Sequence, residues 1–200
     1  MSGKYMAYVG SYSYTGKAKG ITVFDVDVEN GTFKERCEIE VDNSSYVIAS
    51  SDGKTLYSIA DEGVVSFRIL PNGSLARLNS ASIRGMRGCH LCTDEEDKYV
   101  FVSGYHDGKT TVLSLNPDGS VGKIVDGVFD RGYGSVAERN FRPHVTCTRR
   151  MPDNRFVLSV DNGIDQVKIY RFNDKEQKLV QVDAIRCDLE SAPRHFRYSK

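Results

Sequence analysis

The sequence has no excess of charge of either sign, no long apolar run and few prolines. Its 200 residues include 27 Lys plus Arg and 27 Asp plus Glu, so the formal net charge is zero. Nucleic-acid and membrane partners need a clustered basic surface, so we expect neither. No apolar stretch approaches the roughly 20 residues of a membrane span. The opening residues lack a basic segment followed by an apolar one, which favours a cytoplasmic protein over a secreted one.

The cysteines are too few and odd in number for a disulfide framework. There are five, which fits a reducing compartment. Cys89 and Cys92 are three positions apart, and side chains at that spacing on a strand point to opposite faces, so we expect no metal there. Neither a phosphate-cradling nor a Rossmann glycine pattern is present, and we expect no cofactor.

One hairpin pattern recurs four times along the chain. Each copy is an alternating strand, a polar turn and the start of another strand, and three of the turns are Asn-Gly or Asp-Gly pairs, which tolerate the positive φ of tight hairpins. The fourth turn, Lys175-Glu176-Gln177, is predicted to be looser. The copies are VFDVDVENGTF (23–33), FRILPNGSL (67–75), LSLNPDGSV (113–121) and YRFNDKEQKL (170–179).

Further strands are predicted before each hairpin. An apolar or alternating segment precedes every copy, and a third strand precedes the last three copies. Four strands per unit at a period of roughly 40 to 50 residues is typical of propeller blades. A β-sandwich has a similar strand spacing, but a matched motif in fixed order argues against it. The segments are 4–12, 54–61, 98–105 and 155–161, preceded in the last three cases by 46–51, 90–94 and 144–149.

The sequence therefore predicts an all-β fold, a β-propeller of four-stranded antiparallel blades. Residues 1–200 form a single domain with about four blades, and the last segment, SAPRHFRYSK, is predicted to begin a fifth. Because a closed ring buries the faces of every blade, we expect the domain to be C-terminally incomplete or to associate with another copy.

Three segments carry a more specific pattern. They are Glu138-Arg139 with Pro143-His144, Asp161-Asn162-Gly163-Ile164-Asp165, and Pro193-Arg194-His195. With these segments the chain resembles the lactonase family of seven-bladed propellers, and the resemblance extends over the whole sequence, from YVGSYSYTGKAKGITVFDVD onward. It implies about four blades of a seven-bladed ring and a role in carbohydrate metabolism, such as lactone hydrolysis in the pentose phosphate pathway.

Two positions depart from the family pattern. Many members have His-x-His in the central segment, but here His144 is followed by Thr146 in the second position. Members often have an acidic residue shortly before that pair, and Phe141 stands near that place. These departures predict either a shifted substrate or a loss of activity.

Histidines and arginines are the candidate site residues. His90, His144 and His195 are predicted to begin equivalent inner strands, with Tyr46 in the matching place one unit earlier, so that they line the central channel. His144 or His90 is the candidate general base, because imidazole titrates near neutrality. Glu138 would orient a histidine or accept a proton. The candidate catalytic set is His144, His90, Glu138 and Arg194, and the candidate substrate-binding set is Arg139, Arg142, His195 and His106.

The arginines indicate an anionic substrate, because a guanidinium is suited to carboxylate or phosphate. The leading functional prediction is a lactonase that hydrolyses a sugar lactone, with 6-phosphogluconolactone as its substrate and no cofactor. A carboxymuconate-type cycloisomerase would use the same arginines on a polycarboxylate. A non-catalytic propeller that binds partners is the third alternative, since fold alone does not separate the three.

Overall fold

The computed structural model describes residues 5–134 and 141–199. Within these ranges the chain forms fifteen β-strands and no helix, so none there could cross a membrane. The strands are β1 Tyr5–Gly10, β2 Gly20–Asp27, β3 Thr32–Glu40, β4 Val47–Ala49, β5 Thr55–Ala60, β6 Gly63–Ile69, β7 Leu75–Ser82, β8 His90–Thr93, β9 Tyr99–Gly104, β10 Lys109–Leu115, β11 Val121–Phe129, β12 Val145–Arg150, β13 Val157–Asp161, β14 Gln166–Asn173 and β15 Lys178–Arg186.

The strands form four antiparallel sheets, each built from consecutive segments. The first sheet has three strands, β1–β3, and the others have four, β4–β7, β8–β11 and β12–β15. The first strands β4, β8 and β12 are neighbours in space, as the inner strands of adjacent blades must be. The predicted repeat of four-stranded blades is confirmed, and the first sheet lacks the inner strand that the other three have.

The hairpins follow their turn residues. Gly119 has a φ of 86° between β10 and β11, and a Cβ there would collide with the Thr55 side chain of the next blade. In the fourth copy, where no glycine is present, Gln177 itself takes the left-handed conformation with a φ of 56°. The turn is therefore formed at a conformational cost that glycine does not incur.

The hydrophobic core lies between neighbouring sheets. The central strands β5 and β9 are buried along almost their full length, whereas the outer strand β3 is largely exposed. Three apolar clusters fill the spaces between sheets one and two, two and three, and three and four. Large, fully buried members are Phe67 and Leu56 in the first space, Tyr57 and Leu91 in the second, and Phe101 and Tyr170 in the third.

The segment after β15 differs from its prediction. Residues 191–199 form no strand, although their composition predicted the first strand of a fifth blade. The segment instead lies along β12, where the Thr146 hydroxyl donates to the carbonyl of Arg194 at 2.8 Å. Among the described residues there is no further strand with which it could pair, so its remaining backbone groups do not form a ladder.

Candidate functional site

The candidate site residues lie near one face of the blades. In an antiparallel sheet, the loops between sheets and the loops between second and third strands leave on the same side. Arg142 and His144 are in the loop between the third and fourth sheets, Arg194 is in the segment after β15, and His106 is in the loop between β9 and β10. Glu138 and Arg139, both predicted as site residues, lie outside the described residues.

A cavity of about 320 Å³ opens on the inner strands, and we call it the channel cavity. It brings together residues of three blades and of the C-terminal segment. Two of its histidines, His90 and His195, were predicted to line the channel, and their ring centres are 6.2 Å apart. The cavity is lined by Tyr46, His90, Arg149, His195, Phe196 and Arg197.

His90 is the most deeply buried of these side chains, with 1% of its surface exposed. Its Nε2 lies 3.4 Å from Nη2 of Arg149 and 3.6 Å from the sulfur of Cys147. Burial, helped by the positive charge of Arg149, lowers the pKa of His90 to about 3. The imidazole is therefore neutral at neutral pH and is a weak base, which argues against the predicted role of His90 as the general base.

The equivalence of the inner-strand positions is only partly as predicted. Tyr46 and His90 each lie four residues before the turn that starts with Ser50 and Asp94, and their rings are 4.7 Å apart. In the fourth sheet Cys147, not His144, occupies this position before Met151. His144 stands three residues before Cys147, and a β-bulge between Val145 and Cys147 accounts for one of the three.

His144 lies in a separate environment nearer the loops. Its ring stacks on Tyr105, with centres 4.3 Å apart, and its Nδ1 lies 2.6 Å from the carbonyl oxygen of Tyr105. Because a carbonyl can only accept, Nδ1 carries a proton, and in the neutral ring Nε2 is then the acceptor. Among the described residues no protein group bonds to Nε2. In its neutral form, the ring is therefore suited to accept a proton at Nε2.

The backbone of His144 is also fixed. Its amide donates to Oδ1 of Asp161 at 2.8 Å, and the amide of Gly163 donates to the same oxygen at 2.9 Å. A Cβ added to Gly163 would collide with the carbonyl oxygen of Arg142 and would approach Cδ2 of His144 to 2.8 Å. The Asp-Asn-Gly segment thus packs directly against the histidine.

Three other predicted residues are exposed. The guanidinium of Arg142 lies 5.6 Å from the ring centre of Phe141, and the side chain reaches into solvent. Arg194 is also exposed. Burial, together with the positive charge of Arg194, lowers the pKa of His195. His106 is exposed and stands edge-on to Tyr105 at 5.4 Å. The described contacts assign none of these three to the channel cavity.

Sequence reasoning missed Arg149 and Arg197. Arg149 is half-buried on the inner strand β12, and its Nε is buried with no partner within the described ranges. No carboxylate among the described residues lies within 4.0 Å of either guanidinium. A charged residue within an otherwise buried inner strand was the available signal, since such charges are seldom buried without a partner.

Comparison with known proteins adds to this geometry. The family model described as "Lactonase, 7-bladed beta-propeller" matches residues 6–200. A 6-phosphogluconolactonase of Bacillus subtilis (strain 168) is 31% identical over 201 residues, which cover 98% of this chain and 56% of that protein. The chain therefore spans about half the length of the curated relatives it matches.

Solved structures also match this chain over about half of their length. A Bacteroides fragilis protein assigned as a 6-phosphogluconolactonase superimposes with a TM-score of 0.87 at 31% identity, covering 96% of this chain and 57% of the other. A counterpart from Bacteroides uniformis, assigned likewise, superimposes with a TM-score of 0.87 at 25% identity, covering 95% and 56%. The sheets seen here therefore superimpose on a little over half of each of these solved chains.

Proposed function

The chain belongs to the lactonase family of seven-bladed β-propellers, and on that premise we propose that its protein hydrolyses the lactone of an anionic sugar acid, 6-phosphogluconolactone first among them. The observation that carries the proposal is the channel cavity, where unpaired arginines lie beside neutral histidines. The name of the Bacillus subtilis relative supports the same substrate.

The anionic end of the substrate would bind to Arg149 and Arg197. Arg149 is held by the strand β12 and has a buried Nε without an acceptor. A guanidinium that has lost water and lacks a carboxylate partner gains most from a doubly charged, multi-oxygen ligand such as a phosphate. Arg149 also lies 3.4 Å from Nε2 of His90, but that ring is neutral, so the charge of Arg149 stays available to a ligand.

The neutral histidines would bind the sugar hydroxyls. The pKa of His90 is about 3, and that of His195 is lowered by burial and by Arg194. A neutral imidazole can both donate and accept a hydrogen bond, as a hydroxyl requires. His195 is exposed at the cavity, so its ring is the more accessible of the two to such a hydroxyl.

The lactone carbonyl would then lie toward His144. His144 is three positions before Cys147, which touches His90. At the rise of a strand, His144 and His90 are therefore roughly 10 Å apart along the chain direction. An extended six-carbon sugar phosphate spans a distance of that order. The phosphate would occupy the channel cavity while the carbonyl faces the free Nε2.

Hydrolysis would proceed by proton transfer through His144. Nε2 takes a proton from water as the water oxygen bonds to the carbonyl carbon, and the carbonyl oxygen becomes an oxyanion. When the ring carbon–oxygen bond breaks, the imidazolium returns the proton to the leaving oxygen, so that one water is consumed and one hydroxy acid is formed. The exposed Arg194 is the candidate donor to the oxyanion.

Substitution of Arg149 in the full-length gene product tests the anion site. We expect Arg149→Gln to raise KM for 6-phosphogluconolactone about 10- to 100-fold, because a charge-assisted contact is worth about 1.5–3 kcal/mol. KM for unphosphorylated gluconolactone should not change. Arg155, exposed on the opposite face beside Asp153, supplies the matched control Arg155→Gln.

Two results would count against the proposal. One is an equal effect of Arg149→Gln on both lactones, which would mean that Arg149 does not recognise the phosphate. The other is that the full-length protein does not hydrolyse either lactone faster than water does. Turnover of a carboxymuconate instead would favour the cycloisomerase chemistry.

A further inference from the structure

A buried pair of carboxyl groups lies directly behind His144. Asp161 ends β13 and is fully buried, and Asp130, 7% exposed, follows β11 of the neighbouring blade. Lys168 and Tyr170, both on β14, are buried beside them. Within the described ranges these two side chains are the other ionisable groups that act on the pair.

The hydrogen bonds around the pair are unequal. Asp161 accepts the two backbone amides of His144 and Gly163, whereas Asp130 accepts, from the described residues, the Tyr170 hydroxyl alone, at 2.8 Å. The ammonium of Lys168 lies 3.7 Å from Oδ2 of Asp130. Hydrogen bonds from backbone amides favour the ionised form of a carboxyl group. Asp161 is therefore the one of the two that ionises more readily.

The two carboxyl groups are neighbours, and each acts on the pKa of the other. Oδ2 of each is buried, with no hydrogen-bond partner in the described chain. Two carboxylates buried side by side repel each other, so the pair favours holding one proton. With one proton the pair has a single negative charge, which Lys168 balances.

We propose that Asp161 is a positioning residue for His144, and that it shares one proton with Asp130 while its carboxylate holds the backbone amide of His144. The hydrogen bond from the backbone N–H of His144 to Asp161 keeps the imidazole stacked on Tyr105 with Nε2 open. The functional part of this inference rests on the role proposed above for His144, but the positioning itself does not. Asp161 is fully buried and cannot reach a substrate, so it acts through the histidine.

An NMR signal of the His144 ring reports directly on whether Asp161 positions it. In the full-length protein labelled with ¹⁵N-histidine and without substrate, the Nδ1–H of His144 should give a slowly exchanging signal, assigned from its loss in His144→Gln. Asp161→Ala should remove or shift this signal and lower kcat about 100-fold while KM changes less than about threefold. The exposed His106 provides the reference signal.

Conservative variants separate positioning from simple destabilisation. Asp161→Asn keeps an oxygen for both amides and offers an N–H to Asp130, so we expect it to keep the His144 signal and most of the activity. Asp130→Asn likewise replaces the shared proton with an amide proton. The double variant leaves Lys168 buried without a counter-charge, and its denaturation midpoint should fall by more than the two single changes together.

The pH dependence has a definite sign. Burial raises the pKa of Asp130 to about 7, well above its ordinary value near 4. The folded protein therefore binds a proton that the unfolded chain has lost, and this contribution to stability declines as pH rises from about 4 through about 7. We expect the denaturation midpoint of the wild type to fall over that range more steeply than that of Asp130→Asn.

The outcomes are distinct. An unchanged His144 signal in Asp161→Ala overturns the proposal, and so does loss of that signal in Asp161→Asn, which decides the matter if the alanine variant does not fold. If the denaturation midpoints of the wild type and Asp130→Asn depend equally on pH, the shared proton is overturned. If His144→Gln is fully active, the proposed function fails, while the signal still reports on the positioning.

Discussion

At the scale of single residues, the site depends on how closely Gly163 approaches His144. Because a Cβ at this position would lie 2.8 Å from Cδ2 of His144 and would collide with the carbonyl oxygen of Arg142, Gly163→Ala must displace the ring or the loop. A misplacement of about 1 Å can cost 100-fold in rate, so we expect a fall in kcat of that order, measured on full-length protein.

The matched control for this change is a glycine in open space. Gly53 has a φ of 68° with no atom near its Cβ position, and asparagine tolerates that conformation. Gly53→Asn should leave kcat within about twofold of the wild type by that argument. An active Gly163→Ala enzyme would show that the ring position does not govern the rate.

The residue scale is also where sequence reasoning fell short. The equivalence of Tyr46 and His90 followed from local spacing and is confirmed by their common register. His144 lies three residues outside that register. One of the three comes from a bulge in the pairing with β13, which is non-local and which spacing does not reveal. The low pKa of His90 arises from burial and from Arg149, and both depend on packing between blades.

At the scale of elements, the contact between the third and fourth blades includes an ion pair excluded from water. Arg150 at the end of β12 lies 3.6 Å from Asp94 in the turn after β8, and their side chains are 5% and 2% exposed. Asp94 also accepts the amides of Lys98 and Tyr99, which close the turn. The pair therefore connects one blade to the turn of the next.

Removal of one partner should destabilise the protein strongly. Arg150→Ala leaves the Asp94 carboxylate buried without its cation, and we expect a loss of about 3–5 kcal/mol in the free energy of unfolding. Urea denaturation of the full-length protein measures this loss. The exposed pair of Arg155 with Asp153 is the control, since Arg155→Ala should cost less than about 1 kcal/mol. Similar losses in both variants would contradict this account.

The elements themselves were largely predictable. Turn glycines and alternating strands are local signals, and they correctly predicted the hairpins and the order of strands within each unit. The segment 191–199 was wrongly predicted as a strand, because a strand exists only with a partner, and none is available to it among the described residues.

At the scale of the whole molecule, the blades stabilise one another across shared apolar faces. The first sheet lacks an inner strand, and β15 exposes Val180, Val182 and Ile185 on the outer strand of the fourth sheet. The relatives that this chain matches are nearly twice its length. The expectation that the domain is completed by further chain or by another copy stays a prediction.

The measurement that tests the central claim most directly is the rate of 6-phosphogluconolactone hydrolysis by the full-length protein and by His144→Gln, corrected for the spontaneous reaction. If Nε2 of His144 activates the water, the wild type accelerates hydrolysis and the variant loses about 10²- to 10⁴-fold in kcat with little change in KM. Equal rates for the two proteins would contradict the assignment of His144 as the base.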